Sequence, residues 1–536
     1  MPYSPLSLAR DPRALVGIFV AMGIAIFAAG ESRSGARSRL AAAAPIMAFL
    51  AAWLAFLDYH VDDAGISYAY ARNLACGFGL KPFIGAPPVE GFSNPAWTLL
   101  LALTTLFRIS PPAASKVIQL ALAILTLAAV RKIVFRSTDS PFAANTAAAL
   151  ISINASYVLW SAAGLENALL AASLVCAVLF SLDDAKQALP GFALGVASVT
   201  RPEGVALAAA FFAGSYISRS PGRRSSLRIA GIVSLAIFIG YQLFRIAYFR
   251  ELVPNTYFAK VIGLPESRVH RGLLYLGGFV FSTELLLITT LALLGVISRR
   301  SRAITYPCAL TFLAGAAFAV YSGGDWMREW RFFSHLVPLL AILAGLGTAS
   351  LIRVAPARPQ TVQFATAIFI GLLFVGASIE QASSIAADAV ERFCAFADVE
   401  RTADRLVHLA TTFCRDRPLR IASTDIGGLL YKYPSVHTMD LAGLIDRDAA
   451  RHSGDSSYWS HRLSHGSRPQ IIWLHPPWDT ITGLSPSELA ANGYLSIVRQ
   501  PHAAQAARST GFYVDVALCN GAVELISSSS DPVSLR

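Results

Sequence analysis

Long apolar runs with short polar breaks fill the chain from its start to about residue 382. A helix needs about 20 apolar residues to cross a bilayer. Runs near that length predict membrane helices at roughly 14–30, 40–57, 114–131, 142–160, 165–181, 229–249, 273–297, 303–321, 332–352 and 362–382. The stretch 189–218 is apolar but broken from Thr200 to Gly204 (TRPEG), which predicts two short crossings meeting at the break. The segment 95–109 opens on Pro95 and is too short to cross, so it is predicted to lie on the membrane surface. The run 14–30 lacks the small-residue cleavage pattern of a signal peptide and reads as a retained span. The expected fold class is a polytopic α-helical membrane protein with about eleven to twelve spans.

After residue 382 the pattern becomes polar and the elements shorten. β-like runs occur at 420–424 (RIAST), 470–475 (QIIWLH), 494–500 (YLSIVRQ) and 512–519 (FYVDVALC), with a helical pattern near 396–412. The expected organisation is a transmembrane module over 1–382 and a soluble extracytoplasmic α/β domain over 383–536. Residues 58–112 form the first extracytoplasmic loop with its juxtamembrane helices. Cys394, Cys414 and Cys519 fall in the α/β domain, where a disulfide is permitted but its pairing is not readable.

Composition agrees with a membrane class. Hydrophobic residues make up 54% and charged residues 14%, against about 25% charged in soluble domains. The net charge of +11 could serve nucleic acid. The basic residues argue otherwise, because they fall in clusters between apolar runs: Arg33/Arg37/Arg39, Arg131/Lys132/Arg136, Arg219/Arg223/Arg224/Arg228, Arg299/Arg300/Arg302 and Arg353/Arg358. Such clusters mark cytoplasmic loops. The opposite loops then carry Asp62, Asp63, Glu90, Glu166, Arg201, Glu203, Asn255, Lys260, Asp325 and Arg328, and the N-terminus also lies outside. The six cysteines show no CxxC spacing, so no metal site is signalled.

The densest chemistry follows the second apolar run, in DYHVDDAGISYAYARN (58–73). Adjacent carboxylates at a membrane boundary mark either the exit from the bilayer or a site. The loop that follows holds Arg72, Asn73, Glu90 and Asn94 among Tyr59, Tyr68, Tyr70, Phe78, Phe83, Phe92 and Trp97. Glycines and prolines in CGFGLKPFIGAPPVEG (76–91) predict a folded loop. Aromatics beside few polar groups suit an amphiphilic ligand, since sugar rings stack on such faces and lipid tails pack beside them. A carboxylate there can take a proton from an acceptor hydroxyl. Adjacent carboxylates diverge, so one base and one orienting partner or metal ligand are expected.

DDAGISYAYARNLACGFGL followed by VEGFSNPAWTLLLAL resembles the first extracytoplasmic loop of the GT-C superfamily of membrane glycosyltransferases. The resemblance is strongest to bacterial proteins similar to the mycobacterial terminal arabinofuranosyltransferases. WSAAGLENALL (160–170), ASVTRPEG (197–204), LVPNTYFAK (252–260), GGDWMREWRFFSHLVPLL (323–340) and STDIGGLLYKYPSVHTMDLAGLIDRDAAR (423–451) extend it across 58–451. The chain departs from the pattern at Gly65, where relatives often carry an aromatic, and at Asn167, where they often carry threonine. The span count before the acidic loop also differs, two here where relatives usually have one.

The resemblance implies inverting transfer of a sugar, arabinofuranose by the nearest family, from a polyprenyl-phosphate donor. The acceptor is an envelope glycan or glycolipid outside a bacterial inner membrane. Asp62 is the expected base and Asp63 its alternate. Arg201, Lys260 and Arg328 are candidate phosphate ligands; Arg72, Glu90, Glu166, Asn255, Asp325 and Trp326 are candidate substrate contacts. Structural readings stand beside several of these: Glu203 as the partner of Arg201, a snorkelling Lys260, an ion pair and aromatic belt around Asp325, and Arg72 as partner of the acidic pair. The resemblance allows magnesium or manganese without requiring it. No His/Cys cluster signals zinc. A transporter, or a non-catalytic binder of lipid-linked sugar, is the alternative class. The His, Trp and Tyr residues of 456–467 and 473–478 would permit glycan binding by the C-terminal domain.

Overall fold

The computed structural model describes residues 5–183, 185–219, 225–260, 265–297, 301–354, 360–414, 418–452, 455–465, 468–475, 478–501, 509–515 and 519. Arg223, Arg224, Arg299, Arg300 and Arg358 lie outside the described residues, as do parts of 456–467, 473–478 and 512–519. The chain divides into two compact units. One comprises Met1–Tyr59, Ser115–Gln242 and Gly263–Phe393; the other comprises His60–Ala114, Leu243–Ile262 and Cys394–Arg536.

Among the described residues seven helices are long and apolar enough to cross a membrane: Pro12–Ala29, Gly35–Phe56, Pro111–Thr138, Leu227–Phe249, Arg302–Ser322, Val337–Val354 and Ile368–Val390. Local chemistry sets their ends. Asp11 caps the first helix by accepting from Arg13 N, with Pro12 following, where a missing N–H costs nothing. Gly323, at φ 85, closes Arg302–Ser322 in the left-handed conformation.

The remaining apolar runs are shorter than expected. The run 142–160 is not one span: Asn154 ends Pro141–Ile153, and its side chain then caps Ala155–Trp160 by accepting from Tyr157 N. The run 165–181 yields Asn167–Phe180, 14 residues, or about 21 Å of helix against a hydrocarbon core of about 30 Å. The run 273–297 becomes two helices, Ser267–Val280 and Glu284–Ile297, bent by 86°. The break at Thr200–Gly204 is real, with Ala188–Ser198 and Gly204–Ser218 on either side. The surface segment is the helix Pro95–Leu106.

Within the first unit small residues let helices touch. A Cβ on Gly347 would meet Leu291 O at 1.9 Å, and one on Gly295 would meet Leu343 O at 2.1 Å, so Thr283–Ile297 and Val337–Val354 lie backbone against backbone.

In the second unit the C-terminal sequence forms a five-stranded sheet: β1 Arg420–Ser423, β2 His437–Asp440, β3 Ile471–Leu474, β4 Tyr494–Pro501 and β5 Ser509–Asp515, in the order β2-β1-β3-β5-β4. The strands β2, β1 and β3 run parallel, with Ala422 opposite Met439 and Ile472; β5 is antiparallel to β3 and β4. Alternation along the strands divides two cores. Ile421, Ile471 and Trp473 pack with the amphipathic helix Phe396–Phe413 through Val399, Ala403, Leu406 and Ala410. Ala422, Ile472 and Leu474 pack with Trp459, Leu463, Leu484 and Leu489 on the other face. Cys414 and Cys519 form a disulfide in the first of these cores.

Candidate functional site

The acidic pair opens the helix Asp62–Ala75 in the second unit. Two backbone bonds, which pair Val61 with Ala395 in an antiparallel bridge, fix this entry. Phe396 N donates to His60 O (2.9 Å), and Asp62 N donates to Cys394 O (2.9 Å). Asp62 is 2% exposed. Its Oδ2 accepts from Gly427 N (2.9 Å) and its Oδ1 from Gly428 N (2.8 Å). Burial pushes the Asp62 carboxyl well above the usual carboxylate range. The charge of Asp425 adds to this, and the two glycine N–H groups oppose it. Asp63, one residue on, is half-buried.

Asp425 follows the end of β1 and brings a second carboxylate to Asp62. Ligating atoms of Asp62, Cys394 and Asp425 lie within 4.8 Å of one another. His475, just past the end of β3, places Nε2 2.9 Å from Asp425 Oδ2. Burial pushes the Cys394 thiol up, and the carboxylates of Asp425 and Asp62 push it further. No local signal marked Cys394, Asp425 or His475 as partners of the acidic pair. The stretch 423–451 contains Asp425 but not its contact.

The loop's aromatics do not form an open sugar-stacking face. Tyr68, Tyr70, Phe83, Phe92 and Trp97 are buried. Tyr70, Phe83 and Phe92 belong to a core with Ile66, Phe249, Leu430 and Ile445, while Phe78 is exposed. Side-chain bonds hold the loop as well. Tyr70 OH donates to Val89 O (2.7 Å), and Asn73 Nδ2 donates to Lys81 O (2.8 Å) and Pro82 O (3.1 Å). In the sheet domain Trp459 and Trp473 are likewise buried.

Arg72 does not partner the acidic pair. Its guanidinium donates to the carbonyls of Tyr431 and Leu430 and to Asn73 Oδ1 (2.7 Å). Arg72 itself lies at the other end of its helix from Asp62, 10 residues on in sequence. Glu90 is buried against Arg245, Nε to Oε2 at 2.6 Å and Nη2 to Oε1 at 3.2 Å. Arg245, inside an apolar run, was not singled out by the sequence. Asn255 N donates to Glu90 O (3.1 Å), and its carboxamide donates to Gly443 O and Leu444 O, both 2.8 Å. Asn255 therefore ties the loop to the 443–446 turn. Lys260 ends the helix Asn255–Lys260 and is exposed.

The other candidates lie in the first unit. Arg201 is buried between Glu166 and Glu203, Nη1 on the former and Nε on the latter, with Phe332 beneath its plane at 5.1 Å. Asp325 is paired with Arg331. Arg328 is 42% exposed and reaches Glu391 (2.8 Å) and Asp388 (3.5 Å). Trp326 is 67% exposed, its ring edge-on to Phe393.

No family model and no curated protein matches the sequence. Solved structures do. ArnT from Cupriavidus metallidurans bound to undecaprenyl phosphate is similar at TM-score 0.55 and 15% identity, over 87% of this chain and 97% of that one. The apo state of the same protein gives TM-score 0.54 and 15% identity, over 88% and 98%. The Archaeoglobus fulgidus oligosaccharyltransferase tethered with an acceptor peptide gives TM-score 0.50 and 12% identity, over 85% and 70%. At these identities the likeness concerns fold. These structures are GT-C glycosyltransferases, and the chain shares their fold, a multi-pass helical membrane protein carrying a C-terminal α/β domain.

Proposed function

We propose that this protein is a glycosyltransferase acting on the extracytoplasmic face of a bacterial cytoplasmic membrane. It moves one sugar from a polyprenyl-phosphate donor to a hydroxyl of an envelope glycan or glycolipid, and arabinofuranose is the sugar favoured by the sequence resemblance. The observation carrying this reading is the acidic pair at the head of Asp62–Ala75, with Asp62 buried and bonded to two backbone N–H groups and Asp63 half-buried beside it. The shared fold supports it, since ArnT has been solved with undecaprenyl phosphate bound.

The acceptor oxygen attacks the anomeric carbon as the bond from that carbon to the phosphate oxygen breaks. Polyprenyl phosphate leaves with the bonding electron pair, and the hydroxyl proton passes to a carboxylate. A single displacement inverts the anomeric centre. A base must come within hydrogen-bond reach of the hydroxyl, about 2.6–3.2 Å. In this reading Asp63 is the base, because Asp62 is covered on all sides and occupied by two N–H donors. That exchanges the roles the sequence favours. Lys260, exposed at its helix end, is assigned the leaving phosphate.

The test is transfer from radiolabelled polyprenyl-phosphate sugars to envelope glycans by the purified protein in lipid, with Asp62→Asn and Asp63→Asn variants. Transfer by wild type that is lost in Asp63→Asn with the protein folded is the expected result. Full activity in Asp63→Asn with loss in Asp62→Asn returns the base to Asp62. Donor binding without transfer in any of the three proteins replaces catalysis with a binding or transport role.

A further inference from the structure

The parallel part of the sheet has its topological switch between β1 and β3. The chain leaves β1 toward β2 on one side and leaves β3 toward β4 on the other. Ligands of open α/β sheets bind at the carboxyl ends of strands at such a point. Asp425 and His475 stand there, two residues after Ser423 and one after Leu474. Asp62 and Cys394 arrive at the same place from outside the sheet, joined by the bond from Asp62 N to Cys394 O.

The charges at this junction are unbalanced. Among the described residues no lysine or arginine pairs with Asp62 or Asp425, and His475 is the one basic side chain in an ion pair with the latter. Two carboxylates this close, one fully covered, repel unless something positive lies between them. The donor types are two carboxylate oxygens and a thiol, with an imidazole behind one carboxylate. A thiolate beside carboxylate oxygens selects zinc over magnesium or calcium. The ligating atoms lie within 4.8 Å of one another, and tetrahedral zinc with bonds of about 2.0–2.3 Å sets its ligands about 3.3–3.8 Å apart, so binding draws these side chains together by about 1 Å.

We propose that Asp62, Cys394 and Asp425 form a zinc-binding site, with His475 orienting the Asp425 carboxylate from behind. Binding replaces the thiol proton, which leaves to solvent, and joins the entry of the Asp62–Ala75 helix to the switch point of the sheet. A ligated Asp62 fits its role beside Asp63 as base. The site itself stands on the geometry of one unit, so it holds or fails separately from sugar transfer.

The test uses the full chain in detergent, purified without a polyhistidine tag, stripped with a chelator and reloaded with zinc alone. Two readouts are needed: zinc per chain by elemental mass spectrometry, and the alkylation rate of Cys394 with and without zinc, read by peptide mass. The expected result is about one zinc per chain, lost in Asp425→Asn and in Cys394→Ser, with at least tenfold slower alkylation of wild-type Cys394 when zinc is present. If either variant fails to fold, zinc protection of the wild-type thiol decides alone. Equal alkylation rates, or zinc retained in both variants, overturn the proposal and leave the two carboxylates sharing a proton.

Discussion

Gly427 lies against Asp62 so closely that a Cβ there would meet Asp62 O at 1.9 Å and Oδ1 at 2.7 Å. The same approach explains the glycine at position 65, where a Cβ would meet Gly427 C at 2.5 Å and the Phe396 ring at 2.6 Å. An aromatic has no room there. Gly427→Ala must therefore push the head of the Asp62–Ala75 helix away from the turn that holds it. A shift of about 1 Å in a catalytic constellation can cost about 100-fold in rate. Transfer is expected to fall by about that factor in Gly427→Ala although no charged group changes. Wild-type turnover in a folded Gly427→Ala protein would show that the Asp62 contact is not used.

Arg201 makes a different prediction from the one its position in the sequence suggests. Its guanidinium already joins two buried carboxylates, Glu166 and Glu203, in a site 6% exposed. Removing one member of a buried ion cluster leaves uncompensated charge, at about 3–5 kcal/mol. Arg201→Met should lower the melting temperature and the yield of folded protein. Arg201→Lys should fall between, because an ammonium lacks the planar fork that spans two acceptors. Thermal unfolding in detergent measures both. A raised KM for donor with unchanged stability would instead return Arg201 to the phosphate role.

The parts legible in the sequence were those with local causes. The Phe396–Phe413 helix showed itself through apolar spacing, and β1, β3 and β4 through short apolar runs between turn residues. β2 was missed because His437-Thr438-Met439-Asp440 carries little apolar pattern; its place comes from parallel pairing with β1. Span length misled at Asn154, since hydropathy does not register a polar residue that ends one helix and caps the next. The acidic pair stood out, but its partners did not. Gly427 is 365 positions from Asp62, and nothing in one chain's local pattern reports such a contact. The loop aromatics are visible as residues, but their burial against Ile426, Leu430 and Ile445 is a long-range fact that no local pattern reports.

Asp440 gives the sheet domain a pH dependence. Its carboxylate is fully buried, and Oδ1 accepts from Ala442 N and Oδ2 from Ile445 N, both at 2.9 Å. Burial outweighs those donors and pushes the carboxyl up to about 7. The folded state thus holds a proton that the unfolded chain releases near pH 4. Unfolding then releases a proton between about pH 4 and 7, so stability declines as pH rises through that window, by up to about 4 kcal/mol in all. Asp440→Asn, neutral throughout, should gain on wild type as pH increases from 5 to 7.5. Melting temperatures across that range are the measurement, and parallel profiles for the two proteins would refute the assignment.

Cys414 and Cys519 resolve the pairing that the sequence left open, and they leave Cys394 outside any disulfide. The bridge ties the end of the Phe396–Phe413 helix to the chain just beyond β5, enclosing a loop of 105 positions. Both cysteines are buried in the core that holds Ile421, Ile471 and Trp473. In the chain-entropy account, closing a loop of that length restricts the unfolded state by about 4–5 kcal/mol. Cys519→Ser should therefore unfold the sheet domain at clearly lower denaturant concentration, and added reductant should bring wild type down to the same midpoint. Tryptophan fluorescence follows this directly, because Trp459 and Trp473 are buried in the two cores flanking the sheet. Because the effect acts on the unfolded chain, which the bridge keeps compact, the slope against denaturant should rise when the bridge is opened. A midpoint that is the same with and without reductant would mean that this bridge does not hold the domain.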